Sequence, residues 1–155
     1  MDLADDVRAG ILSGFRLGQL DEMMVTKRTL AKADWTPKLQ NASIDWQQMG
    51  TGALAVIAAV SRERGVEQAM IFPKSVNVPK FKIFLESVRA ANPFDNIMLV
   101  MDNLSVHRNR EVLERMEELS FRWAYTPRYS PAFNGIEEVW SISTAYIKKE
   151  RLHAI

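Results

Sequence analysis

Five apolar residues in a row, Ile97-Met98-Leu99-Val100-Met101, end abruptly on a carboxylate, Asp102. A half-exposed strand alternates apolar and polar residues. An unbroken run this short marks a central strand buried on both faces. Such a strand belongs in a sheet with helices packed against it, and it delivers Asp102 to the strand's carboxyl end.

The rest of the chain supplies that sheet. Ala53 to Val60 is a second apolar run of strand size. A polar turn over 61–65 leads to Val66–Phe72, so the two runs predict a hairpin. Asn77 is a helix cap with Pro79 tolerated in the first turn. Phe81, Phe84, Leu85 and Val88 then fall on one helical face, and Asn92-Pro93 closes the helix. Val112, Leu113, Met116 and Leu119 mark another amphipathic helix, Phe121–Tyr125 a short strand, and Ile136, Val139, Trp140 and Ile147 a last helix. Met23–Leu30 reads as a strand, with Trp35 in a loop or hairpin after it. Residues 2–20 are poorly patterned, a short helix or the remnant of a linker. Gly14, Arg16, Gly18 and Gln19 interrupt any strand over Leu12–Leu20. The order predicts an α/β fold, a mixed sheet flanked by helices.

A chain of 155 residues suits one core. With 47% hydrophobic and 25% charged residues its composition is that of a folded globular protein. The net charge of +1 announces no nucleic-acid partner, so any basic surface is local. The absence of cysteine excludes disulfides and zinc–thiolate sites, and fits a reducing compartment. No apolar run reaches the length of a membrane span, and the acidic opening residues lack the order of a signal peptide. A membrane partner and secretion are therefore not expected.

Glu137 opens the last helical pattern, and 34 residues (103–136) separate it from Asp102. Taken alone, an Asp after a strand serves a turn, and a Glu in a first helical turn complements the helix dipole. Together they are the pair that meets around a hard divalent cation, which takes oxygen ligands and substrate phosphate. Two such ions stabilise the attacking and leaving oxygens of a displacement at phosphorus. A third carboxylate is required, and Asp21 or Glu22 supplies it.

The segment Met101-Asp102-Asn103-Leu104-Ser105-Val106-His107 resembles the second catalytic block of the DDE transposases of the Tc/mariner superfamily. Thr126-Pro127-Arg128-Tyr129-Ser130-Pro131, continuing through Asn134-Gly135-Ile136-Glu137 to Trp140, resembles their third block, and the 34-residue gap is one the superfamily favours. Asp21-Glu22, followed by Lys27-Arg28 and Trp35, is similar to the first block. The resemblance covers residues 16–155 and leaves 1–15 as a preceding segment. It implies a ribonuclease-H-like fold and a triad of Asp21, Asp102 and Glu137 holding Mg²⁺ or Mn²⁺, two ions in all. It implies DNA cleavage at transposon ends and transfer of the freed strand to target DNA, with a homodimer as the complete assembly. Gly135 stands where the family usually has Pro. The family's N-terminal helix-turn-helix region has no counterpart in the sequence. The compartment follows the host: nucleus in a eukaryote, cytoplasm and nucleoid in a bacterium.

Glu138 rivals Glu137 as a ligand, because the two differ by about 100° around the helix. His107 is placed to assist proton transfer or contact phosphate, and Asn103 to orient Asp102. Lys27, Arg28, Arg108 and Arg128 flank the three blocks and are the candidates for DNA phosphates. Trp35 and Trp140 read as packing residues. Two other readings stay open: a catalytically inactive DNA-binding or interaction module derived from a transposase, and another ribonuclease-H-like nuclease that cuts without joining.

Overall fold

The computed structural model describes residues 3–26, 52–127 and 136–153, with side chains placed through residue 145 in the last stretch. The order of elements is α1 (Leu3–Leu12), β1 (Arg16–Thr26), β2 (Ala53–Ser61), β3 (Gly65–Pro73), α2 (Val78–Ala91), β4 (Ile97–Met101), α3 (Arg110–Glu118), β5 (Arg122–Tyr125) and α4 (Ile136–His153). The strands form one mixed sheet in the order β3-β2-β1-β4-β5. β1, β2 and β3 are antiparallel neighbours, while β4 runs parallel to both β1 and β5. No described helix is long and apolar enough to cross a membrane.

Every residue of β4 is buried, as its unbroken apolar run predicts. Ile97, Leu99 and Met101 enter the main core with Phe81, Phe84, Leu85 and Val88 of α2 and Val112 and Met116 of α3. Met98 faces the other way and meets α1 at Gly10, where an added Cβ would lie 2.5 Å from the Met98 sulfur. Both faces of β4 are thus covered by helices, which a parallel central strand requires.

Local chemistry sets the element ends. The side chain of Asn77 accepts from the Lys80 N–H at 3.1 Å and caps α2, with Pro79 in the first turn. Asn109 does the same for α3, accepting from Glu111 N–H at 2.9 Å. Gly65 has φ of 72° and turns β2 into β3, a conformation that side chains with a Cβ disfavour.

The first strand departs from the sequence expectation. Its described span, Arg16–Thr26, contains the expected Met23–Thr26 but begins well before Met23, and so includes residues that looked too polar for a strand. Tertiary partners account for this. Arg16 is neutralised by Glu67 of β3 at 2.6 Å and by Asp95 at 3.1 Å, and also donates to Asn92 at 2.9 Å. Gly18 is buried beside Leu99 and Ile97. Residues 27–30 and Trp35 lie outside the described residues. Within the poorly patterned residues 2–20, Leu3–Leu12 form a helix that packs on β1 and β5.

Candidate active site at the carboxyl end of the parallel strands

β1 and β4 run side by side with Gln19 opposite Val100. Carrying that register two residues onward sets Asp21 opposite Asp102, just past the end of β4. The carboxyl ends of parallel strands are where open α/β sheets place their ligands. Thr126 N–H donates to the Met101 carbonyl at 2.8 Å, so β5 pins the chain immediately before Asp102.

Asp21 and Glu22 are adjacent in β1, and alternation sends them to opposite faces of the sheet. Asp21 faces α4. Its Oδ2 accepts the indole N–H of Trp140 at 3.1 Å, and its Oδ1 accepts the Glu22 backbone N–H at 2.8 Å. Glu22 faces the α2 side, where its Oε1 lies 3.3 Å from Nε2 of His107.

His107 is 1% exposed, although it lies in a turn between β4 and α3. Its Nδ1 lies 2.8 Å from Asp102 Oδ1 and 3.0 Å from the Asp102 backbone oxygen. A carbonyl oxygen only accepts, so Nδ1 carries a proton. In the imidazolium form Nε2 also carries a proton and donates it to the Glu22 carboxylate. Burial alone pushes the imidazolium toward deprotonation. The hydrogen bond to Glu22, the bond to the Asp102 backbone and the charges of both carboxylates outweigh it, and the pKa is raised above 6.5. The ring packs 4.8 Å from that of Phe81, and Tyr125 donates its hydroxyl to the His107 carbonyl at 3.0 Å.

Asp102 itself is half exposed, at 46% of its side chain. Within the described residues its contacts fall on Oδ1: the His107 Nδ1 ion-pair approach at 2.8 Å and a hydrogen bond from Leu104 N–H at 3.4 Å. Asn103 is exposed; Asp102 is held by His107 and Leu104. Arg108 is exposed beside the site. Lys27, Arg28 and Arg128 lie outside the described residues.

Glu137 lies in the first turn of α4, exposed, one turn before Trp140. Glu138 borders a cleft of about 670 Å³ with Ile11, Phe15, Leu17, Gln19 and Val60. No three His, Asp or Glu residues among those described stand close enough together to hold an ion. Asp21 and Asp102 are neighbours by register, and α4, which carries Glu137, is tied to Asp21 through Trp140. The three carboxylates are not gathered into one coordination sphere. Like charges repel until a cation neutralises them. The donors themselves are all carboxylate oxygens, the set that Mg²⁺ and Mn²⁺ prefer.

Two contacts escape sequence reading. Trp140 reads as a packing residue, yet its N–H holds Asp21. Glu22 reads as a stand-in for Asp21, yet it bonds a buried histidine. Alternation along β1 was the available signal for the second; nothing in helical periodicity reveals the first.

A five-stranded mixed sheet with one acidic residue within its central strand β1 and another just past the end of the parallel strand beside it fits the ribonuclease-H-like class. Residues 16–154 match the family described as DDE superfamily endonuclease, and the chain belongs to that family. Its fold is similar to that of the Mos1 transposase in a paired-end complex with the left transposon end, at a TM-score of 0.63 and 16% identity, covering 93% of this chain and 46% of that one. It is similar to the catalytic domain of the Mos1 mariner transposase at a TM-score of 0.62 and 17% identity, over 96% of this chain and 66% of that one. A structure of that catalytic domain with raltegravir and Mg gives 0.62 and 15%, over 90% and 66%. The chain therefore spans about half the length of the transposase in the paired-end complex. No curated protein matches it in sequence.

Proposed function

We propose that this chain is the catalytic domain of a transposase, cutting DNA phosphodiesters at transposon ends and joining the freed 3′ hydroxyl to target DNA. The observation that carries this reading is the parallel β1–β4 register, which carried two residues past its last pair sets Asp21 opposite Asp102, with α4 and its Glu137 anchored to Asp21 through Trp140. Asp21, Asp102 and Glu137 would hold Mg²⁺ or Mn²⁺, two ions in the full site. Bound there, the metal supplies a nucleophile at neutral pH and charge stabilisation at the leaving oxygen.

The chain's own residues do the rest. Trp140 and the Glu22 N–H fix the Asp21 carboxylate, and His107 and Leu104 N–H fix that of Asp102. Exposed Arg108 is set to contact backbone phosphate, with Lys27, Arg28 and Arg128 as further contacts in the sequence. A homodimer fits a reaction that acts on two DNA ends.

The test is nicking of supercoiled plasmid DNA by the chain in Mn²⁺ or Mg²⁺, followed by joining of a labelled oligonucleotide with a free 3′ hydroxyl. Asp102→Asn should lower nicking beyond the roughly 10–100-fold cost of losing an outer-shell partner. Hydrolysis without joining would favour a plain nuclease. DNA binding with no metal-dependent cleavage, unchanged by Asp102→Asn, would sink the catalytic reading and leave an inactive module.

A further inference from the structure

The two acidic residues of β1 divide their work. Asp21 faces α4, and Glu22 faces the opposite side, where it meets His107. His107 bridges two segments that the backbone ladder joins only up to Gln19 and Val100. Its Nε2 reaches β1 at Glu22, and its Nδ1 reaches the residue after β4, Asp102. The bridge is buried at its centre, with the His107 side chain 1% and that of Glu22 18% exposed, and opens to solvent at Asp102. It is also braced, by Tyr125 of β5 on the His107 carbonyl and by Phe81 of α2 on the ring.

This arrangement acts on one oxygen of Asp102. Among the described residues, His107 Nδ1 at 2.8 Å and Leu104 N–H at 3.4 Å both meet that carboxylate at Oδ1. A carboxylate held through one oxygen cannot rotate freely, and the other oxygen then has a fixed direction. Ordering it in advance removes a cost from cation binding.

We propose that Glu22 and His107 form a positioning pair that presents Asp102 Oδ2 as a single-oxygen ligand to the divalent cation, with Glu22 acting only through His107. The inference rests on the metal-site reading of Asp102 given above. Glu22 is then no rival to Asp21 as a ligand: its carboxylate holds a buried imidazole on the other face of the sheet. Removing a group that orients a metal ligand costs affinity roughly 10–100-fold, even though it never touches the metal.

The experiment is a titration of the whole chain with Mn²⁺, free ion read by electron paramagnetic resonance, with circular dichroism and thermal melting on every variant. The wild type should bind and Asp102→Asn should not. Glu22→Ala should weaken Mn²⁺ binding about 10–100-fold. Glu22→Gln, which keeps an acceptor for Nε2, should recover most of it. His107→Asn keeps a donor near the Nδ1 position and loses the link to Glu22, so it should fall between His107→Ala and wild type. A merely structural role would lower the melting temperature of Glu22→Ala and leave the Mn²⁺ dissociation constant of the folded protein unchanged. That result, alongside a binding-dead Asp102→Asn, would overturn the positioning pair and leave the metal site standing. A wild type that binds no Mn²⁺, or an Asp102→Asn variant that binds as well as wild type, would overturn the metal site itself and the pair with it.

Discussion

Trp140 shows how a single atom separates packing from function. The apolar pattern of the last helix places it on the inward face with Ile136, and a packing role follows from periodicity alone. The structure adds the indole N–H, which donates to Asp21 Oδ2 at 3.1 Å. Trp140→Phe preserves most of the ring and deletes that donor. It should cost about 1–2 kcal/mol of stability, from the lost hydrogen bond and some buried area. Plasmid nicking should fall roughly 10-fold or more as Asp21 loses its orientation. Melting curves and nicking rates check the two effects separately, and nicking at the wild-type rate would mean that Asp21 needs no such anchor. That Asp102 follows a buried strand and that Glu137 falls in the first turn of a helix was legible from the apolar pattern. The contacts that hold Asp21 and Asp102 were not, because a side-chain hydrogen bond across 119 residues leaves no periodic trace in sequence.

Among the elements, legibility followed how much each depends on itself. β4 announces itself, since burial on both faces demands an unbroken apolar run. The β2–β3 hairpin and α2 also carry their own signals: a turn at Gly65, and a cap at Asn77 with four apolar residues on one face. β1 does not, because its first half borrows stability from β3, β4 and the α2–β4 loop. Gly18 illustrates the point. A Cβ built there would meet Leu99 Cδ2 at 3.4 Å and Ile97 Cγ2 at 3.5 Å, both ordinary contact distances. Its φ is not in the left-handed region, so no special backbone freedom is required there. Gly18→Ala should therefore stabilise the fold, by about 0.4–1 kcal/mol, chiefly by restricting the unfolded chain. Denaturant midpoints decide it: a lower midpoint with unchanged slope would show that the Leu99 side cannot accept the methyl group.

At the scale of the molecule, stability and chemistry sit at different ends of the sheet. Arg16 opens β1 and binds Glu67 of β3 and both Asn92 and Asp95 of the α2–β4 loop. Arg89 reinforces that end, donating to the carbonyls of Leu119, Asn92 and Asp95. Five residues along the same strand lies Asp21, about 16 Å away at the usual strand rise. Glu67 has a side chain only 2% exposed. Glu67→Ala leaves the Arg16 guanidinium, itself 14% exposed, without its shortest partner. Breaking a buried pair from one side costs about 3–5 kcal/mol, and because Asp95 and Asn92 still hold Arg16 the loss should fall near about 3 kcal/mol. Sites this far apart with no shared partner behave additively. The folded fraction of Glu67→Ala should therefore bind Mn²⁺ and nick plasmid DNA as wild type does, while its melting temperature falls by several degrees. An equal loss of metal binding in the still-folded variant would show that the Arg16 network sets the β1–β4 register at the site, and that the two ends of the sheet are coupled through β1.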